Sequence, residues 1–178
     1  MRFRESPLAG LFVIDVEPAE DDRGFFARTY CAAAFVERGL DPAVAQSSIA
    51  YSARKGTLRG MHYQRAPHAE TKLIRCTRGA VHDVAIDLRP DSPTFRRWFA
   101  AELTAANRRM LYIPEGFAHG YLTLEDETEI SYQMSTPYHP EAAEGVRWDD
   151  PAFAITWPIE VAVIAERDRD YPDFAARR

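Results

Sequence analysis

The chain has 178 residues, of which 46% are hydrophobic and 28% charged, a composition typical of a globular domain and unlike that of a disordered chain. Its net charge of −5 disfavours nucleic acid and anionic membranes as general partners. No apolar run is long enough to cross a bilayer, the first residues lack the apolar core of a signal peptide, and two cysteines do not make a disulfide framework. We therefore expect one cytoplasmic domain over residues 1–178.

Short apolar segments separated by turn residues follow one another along the chain. The segment 32–38 is rich in helix formers and precedes Gly39, which predicts a short helix ending there. Most other segments favour strands, because apolar and β-branched residues are bounded by turn signals such as 89–93. The predicted strands cover 11–14, 79–88, 95–103, 110–113, 119–124 and 128–134. This succession indicates an all-β sandwich, barrel or jelly roll with a few short helices, around which the C-terminal third wraps.

Two histidines stand in suggestive sequence contexts. His62 ends the segment 56–62, and His119 ends a P-x-G-x-x-H turn. Both segments resemble the two sequence boxes of the cupin superfamily, in which a glycine allows the turn that directs the histidine into the barrel. Cupins often bind a metal, but here Gln64 replaces a histidine, and a carboxamide is a poor ligand for a transition metal. We therefore predict no bound metal, with His62, His119 and Glu70 as the alternative metal site.

Without a metal, these residues favour proton transfer. Histidine takes up a proton near neutral pH, and a carboxylate from Asp83, Asp87 or Asp168 could orient it. Lys72 could stabilise a developing oxyanion, and Tyr132, on a predicted buried strand, could donate a proton from the opposite face. Each residue alone also has a structural explanation, as a core tyrosine, a solvated lysine or a turn-capping aspartate.

Strand alternation predicts which side chains share a face. With a period of two, His62 lies on the same face as Gly60, and Arg59 lies on the other. A bulge at Gly60 would change this pattern, so alternation alone does not decide on which face of the strand Arg59 lies. The same rule places Asp83 and His82 on opposite faces of their strand. We expect structural or surface roles for the other histidines, His68, His82 and His139.

Several motifs together resemble the dTDP-4-dehydrorhamnose 3,5-epimerase family. They follow the family order over nearly the whole chain, at 22–26, 56–64, 72–75, 83–89, 92–95, 113–120, 148–151 and 165–168. The resemblance implies a metal-free cupin jelly roll, usually a homodimer whose N-terminal strands cross between subunits. It also implies epimerisation of a nucleoside-diphosphate 4-keto-6-deoxyhexose at C3 and C5. Such a reaction needs no redox cofactor, because no net electrons move.

The resemblance also implies a role for individual residues. The catalytic set would be His62 as base, Asp168 as its carboxylate partner, Lys72 for the enolate oxygen and Tyr132 as acid. The substrate-binding set would be Arg59 and Arg23 for the diphosphate, Phe26 and Gln46 for the nucleotide, and the pair His119 and Asp83 for the sugar site.

The sequence departs from the usual family pattern at Arg28 and over 46–50, positions that the resemblance places around the nucleotide. The identity of the nucleotide therefore stays open, as does inversion at C3, C5 or both. The alternative functions are a sugar-nucleotide 3,4-ketoisomerase, a non-catalytic sugar-binding protein and a metal-dependent cupin dioxygenase.

Overall fold

The structure, a computed structural model, describes residues 1–174, so the last four residues of the predicted domain lie outside it. Short strands dominate the described part of the chain, and both of its helices are short. In chain order the elements are β1 (Arg2–Glu5), β2 (Phe12–Asp15), β3 (Ala19–Asp21), β4 (Gly24–Phe26), α1 (Ala32–Val36), β5 (Gln46–Ser52), β6 (Thr57–Gln64), β7 (Lys72–Arg78), β8 (Ala80–Asp87), β9 (Trp98–Thr104), β10 (Met110–Ile113), β11 (Phe117–Thr123), β12 (Thr128–Met134), β13 (Ala143–Gly145), β14 (Val163–Ile164) and α2 (Glu166–Arg169).

Two facing sheets form the body of the molecule. The first has the strand order β1-β2-β10-β7-β12-β5, and the second has the order β13-β6-β11-β8-β9 with β14 added in parallel to β6. Apolar side chains from both sheets, such as Ile74 of the first and Val81 of the second, meet in one buried cluster. The predicted all-β, jelly-roll-type fold with a few short helices is confirmed.

The second sheet is covered on its outer face as well. Val81 and Ala85 of β8 belong to the cluster between the sheets, whereas Val84 and Ile86 pack with Phe153 on the other side. Burial on both faces explains why the β8 sequence is apolar at nearly every position. The C-terminal third supplies this outer cover, as the sequence predicted.

The predicted elements agree with the observed ones in type and differ by a few residues at their ends. The strands Met110–Ile113 and Thr128–Met134 have the predicted bounds. The strand predicted from residue 95 begins at Trp98, because 94–97 form a turn closed by a hydrogen bond from Arg97 N–H to Thr94 O. The helix ends at Val36, before Gly39 turns the chain with a φ of 67°.

Some elements carried no prediction. These are β1, β5, β13, β14, the helix α2 and the two-stranded hairpin of β3 and β4, which pairs with neither large sheet. Within residues 1–174, no helix combines the length and apolar character needed to cross a membrane.

Candidate active site

A cavity of about 660 Å³ opens between the two sheets. This volume lies in the range of sites that bind small molecules. Strands β5, β7 and β12 of the first sheet form one wall, and β6, β13 and the segment 163–168 form the other. The lining residues are Gln46, Ser48, Ile49, Ala50, Thr57, Leu58, Arg59, His62, Tyr63, Gln64, Glu70, Lys72, Tyr132, Met134, Tyr138, Ala143, Glu144, Val163, Ile164, Ala165, Arg167 and Asp168.

A histidine–aspartate pair occupies one wall of the cavity. His62 lies on β6 and Asp168 on α2, with 2.7 Å between His62 Nε2 and Asp168 Oδ1. The second carboxylate oxygen accepts a hydrogen bond of 3.1 Å from the Gly60 N–H. The Asp168 side chain is buried, whereas that of His62 is 42% exposed. If Nε2 donates to the carboxylate, Nδ1 is the basic nitrogen, and it can accept a proton from a molecule bound in the cavity.

The electrostatics of the pair favour an ionised Asp168. Burial acts to raise the pKa of its carboxyl group, but the hydrogen bonds from His62 and Gly60 and the positive charge of Arg167 outweigh burial and hold the pKa below its ordinary value. The carboxylate is therefore charged at neutral pH. A negative charge at this position stabilises the imidazolium that forms when His62 takes a proton.

The close approach of β6 and β11 directs Arg59 and His62 into the same cavity. Gly60 has a φ of 129°, and a Cβ added to it would lie 2.5 Å from the Gly120 Cα. The register between the strands shifts at this point, between His119 and Tyr121. Strict alternation would place Arg59 opposite His62, whereas the structure has both lining the cavity. The irregularity at Gly60 is the physical reason.

Tyr132 approaches the cavity from the opposite sheet, on β12. Burial, with further contributions from Tyr121 and Asp83, holds the pKa of its phenol well above the ordinary value. The hydroxyl group is therefore protonated at neutral pH and can act as a proton donor. A base on β6 and an acid on β12 thus face one cavity from its two walls.

His119 and Asp83 form a second pair, deeper in the molecule. His119 Nε2 lies 3.0 Å from both carboxylate oxygens of Asp83, and both side chains are buried. The His119 ring contacts that of Tyr132 edge-on, at 6.2 Å between centroids, although neither member of the pair lines the cavity itself. His82 lies on the other face of β8, where its ring contacts Trp157, as alternation predicted.

Lys72 lies beside the base. Its Nζ donates a hydrogen bond of 3.2 Å to the His62 carbonyl oxygen and lies 3.1 Å from Glu70 Oε1. The Lys72 and Glu70 side chains are each 11% exposed. Lys72 therefore places a largely buried positive charge at the cavity wall, next to the histidine, where it can stabilise a developing negative charge.

Two arginines line the cavity and donate to neutral oxygen atoms. Arg59 bonds Ser52 Oγ at 3.3 Å and the Tyr51 carbonyl at 3.0 Å, and Arg167 Nε bonds the Tyr171 hydroxyl at 3.0 Å. Neither Arg167 nor Tyr138, another lining residue, was predicted. Arg167 could have been predicted from its position next to Asp168, which was itself a predicted site residue. Gln46 also lines the cavity, and its Oε1 accepts a hydrogen bond of 2.7 Å from the Tyr138 N–H.

Arg23 and Phe26 lie apart from this cavity. Phe26 is on β4 and Arg23 in the turn before it, and neither is among the residues that line the cavity of their own chain. The Arg23 side chain is 89% exposed and pairs with Asp21, and Phe26 is 76% exposed. Within one chain, these two predicted binding residues therefore do not join the six predicted residues that line the cavity.

The residues of the alternative metal site are engaged in other contacts. His62 and His119 each direct Nε2 at an aspartate, and Glu70 pairs with Lys72. The Gln64 carboxamide is also fully used, because it donates to the His68 and Pro137 carbonyl groups and accepts from the His139 N–H. A histidine can still bind a metal through its second nitrogen, but among residues 1–174 the ligand atoms of His62, His119 and Glu70 do not form a cluster of the size that holds an ion.

Comparisons with known proteins agree with this geometry. The chain matches the family model for dTDP-4-dehydrorhamnose 3,5-epimerase over residues 5–176. A relative of that name from Methanothermobacter thermautotrophicus is 43% identical over 173 residues, which cover 96% of this chain and 92% of the relative.

Two similar crystal structures contain ligands. The enzyme of that name from Bacillus anthracis, with TDP and PPi bound, is 38% identical, with a TM-score of 0.92 and coverage of 97% of this chain and 98% of that one. A dTDP-6-deoxy-D-glucose-3,5-epimerase from Legionella pneumophila, in complex with dTDP-4-keto-L-rhamnose, is 34% identical, with a TM-score of 0.87 and coverage of 94% and 89%.

Proposed function

Because the chain belongs to the dTDP-4-dehydrorhamnose 3,5-epimerase family, whose members are isomerases of sugar nucleotides, we propose that it converts dTDP-4-dehydro-6-deoxyglucose to dTDP-4-dehydrorhamnose with His62 as base and Tyr132 as acid. The observation that carries this mechanism is the placement of the His62–Asp168 pair and Tyr132 on opposite walls of one cavity. Inversion at carbon requires proton removal on one face and proton delivery on the other.

The reaction proceeds through an enolate. The C4 ketone makes the hydrogens at C3 and C5 acidic, and His62 removes one of them as a proton while the electron pair moves onto the ketone oxygen. Lys72 stabilises the resulting negative charge, and Asp168 stabilises the imidazolium. Tyr132 then gives its proton to the same carbon from the opposite face. Solvent restores both side chains to their starting protonation states, and no net electrons are transferred.

The arginines of the cavity suit the substrate's diphosphate. Guanidinium groups form paired hydrogen bonds with phosphate oxygens, and Arg59 at present donates only to neutral acceptors in the contacts described above. We assign the diphosphate to Arg59, with Arg23 assisting. Gln46 and Phe26 are assigned to the nucleotide, and the buried pair of His119 and Asp83 supports the sugar site from behind Tyr132.

A second copy of the chain would bring Arg23 and Phe26 to the site. The hairpin of β3 and β4 stands away from both sheets, with Phe26 76% exposed. On β5, an edge strand of the first sheet beside the cavity, Ile49 is 69% exposed. A homodimer in which the hairpin of each protomer covers this edge of its partner would bury both groups and add Arg23 to the partner's cavity.

Mixing two impaired variants tests this dimer. If Arg23 serves the partner's site, a mixed dimer of His62→Asn and Arg23→Ala chains contains one intact site. Random reassociation of equal amounts should then restore about a quarter of the wild-type activity. The control is each variant mixed with itself: His62→Asn should stay inactive, and Arg23→Ala should keep only its own reduced activity. Lack of recovery despite mixed dimers in native mass spectrometry would show that Arg23 does not act across the interface.

Turnover in deuterated water tests the reaction itself. With dTDP-4-dehydro-6-deoxyglucose, we expect deuterium at C3 and C5 and inverted configuration at both carbons in the NMR spectrum of the product. A product whose carbonyl has moved from C4 to C3 would instead indicate a ketoisomerase. A product inverted at only one of the two carbons would indicate a single-centre epimerase. CDP, GDP and UDP counterparts of the sugar serve as controls for nucleotide choice. Absence of exchange with every substrate, while a characterised family member exchanges, would reject the proposal.

We place this reaction in the cytoplasm, as one domain over residues 1–178. Cys31 and Cys76 are both free thiols, which is consistent with a reducing compartment. Location is tested by fractionation of the native host, and recovery of the chain in the periplasmic or secreted fraction would contradict it.

A further inference from the structure

A second cluster of ligating side chains lies outside the cavity. The ligand atoms of His68, His139 and Glu141 all lie within 4.8 Å of one another. The two imidazole rings are stacked, with 3.7 Å between centroids and 21° between planes, and His139 Nδ1 lies 3.0 Å from Glu141 Oε1. Both histidines are half-buried and Glu141 is exposed, so the cluster is open to ions from solvent.

Backbone hydrogen bonds hold the two loops that carry these residues. The His68 N–H bonds the Arg65 carbonyl at 2.9 Å, and the Ala142 N–H bonds the His139 carbonyl at 3.0 Å. Gln64 joins the loops, since its carboxamide donates to the His68 carbonyl at 3.0 Å and accepts from the His139 N–H at 2.6 Å. The ligating residues are therefore held near one another before any ion arrives, which lowers the cost of binding one.

We propose that His68, His139 and Glu141 form a binding site for a divalent transition metal ion such as Zn²⁺. Imidazole and carboxylate are ordinary ligands for Zn²⁺, at about 2.0–2.2 Å from the metal. Two ligand atoms 3.0 Å apart at that radius subtend about 90° at the ion. The stacked rings hold their nitrogen lone pairs in nearly parallel planes, so both imidazoles reach one ion only after one ring rotates out of the stack. An outward rotation of Glu141, which is exposed, widens the angle at the ion, and water completes the coordination shell.

The charges around the cluster are compatible with a cation. The Glu141 carboxylate is exposed and lies 3.0 Å from His139 Nδ1, so an oxygen ligand faces the solvent beside the two imidazoles. Arg65, on the same loop as His68, places its guanidinium against the Glu144 carboxylate and the Glu141 carbonyl oxygen. Arg65 therefore does not occupy the Glu141 carboxylate in these contacts, and that carboxylate can bind an incoming ion beside His139.

The site joins two loops at the rim of the cavity. Residue 138, next to His139, is the lining residue Tyr138, and Gln64 lines the same cavity. A bound ion would cross-link the loops that carry His68 and His139 and stabilise the folded chain, because it binds the native state preferentially. Its role is distinct from the reaction, which uses His62 and Tyr132.

Calorimetric titration of Zn²⁺ into the full-length, tag-free chain at pH 7.5 tests the site. We expect saturable binding of one ion per chain and a raised melting temperature, because the ion binds the folded chain preferentially. In NMR spectra, the ring signals of His68 and His139 should shift on saturation.

Variants decide whether the ion binds at this cluster. Glu141→Gln and His139→Gln should each weaken binding by about tenfold or more, and Glu141 is exposed, so its substitution leaves folding intact. The matched control is His62→Asn, which removes a histidine from the cavity and should bind Zn²⁺ as the wild type does. Absence of binding to the wild type, unchanged affinity in Glu141→Gln, or loss of binding in His62→Asn would overturn the proposal.

Discussion

Replacing His62 with asparagine should lower the rate of epimerisation by about 10²- to 10⁴-fold, the usual contribution of a general base. The carboxamide retains a side chain that can hydrogen-bond to Asp168 but cannot take a proton from carbon. Deuterium exchange at C3 and C5 should fall together with product formation, because both depend on the same proton removal. Product NMR and exchange into the substrate, measured on one sample, check this result.

The control for this experiment is another histidine on the same sheet. His82→Gln changes a ring that packs against Trp157 on the outer face of β8, so turnover should stay close to the wild-type value once folding is confirmed by circular dichroism. Exchange at the wild-type rate in His62→Asn would contradict the assignment of the base. Asp168→Asn should also slow exchange, since it removes the charge that stabilises the imidazolium.

The sequence predicted those parts of the fold that depend on local pattern. The strand Thr128–Met134 was predicted with its observed bounds, because alternating apolar residues stop at turn residues on both sides. The hairpin of β3 and β4 gave no such signal, since every one of its residues is exposed and none contributes to the core. A periodic pattern of apolar residues identifies elements that are buried in the chain's own core. It cannot identify a strand that is exposed within its own chain.

The sequence predicted most of the residues of the candidate site, but it predicted their arrangement in space only in part. Asp168 lies 106 residues after His62, and their contact depends on how the C-terminal segment returns to β6. The position of Arg59 depends on the close approach of Gly60 to Gly120, which a two-residue period cannot describe. Arg167 went unpredicted because all four residues of α2 are charged, a pattern typical of a solvated surface segment.

Replacing Tyr132 with phenylalanine should separate proton removal from inversion. Without the phenol, no acid faces the enolate from the wall opposite His62, so formation of epimerised product should fall by about 10²-fold or more. His62 is still present and can return a deuteron to the face from which it took the proton. Substrate recovered from deuterated water should therefore gain deuterium without change of configuration, which NMR measures directly.

Tyr112→Phe is the matched control, because it removes another buried phenol of the same sheet that does not line the cavity. It should reduce product formation far less than Tyr132→Phe does. Equal loss of exchange and of product in Tyr132→Phe would mean that the phenol is needed for binding or for proton removal, and normal product formation would mean that another group donates the proton. The assignment of base and acid to opposite walls of the cavity is supported only if Tyr132→Phe retains deuterium exchange while it loses inversion.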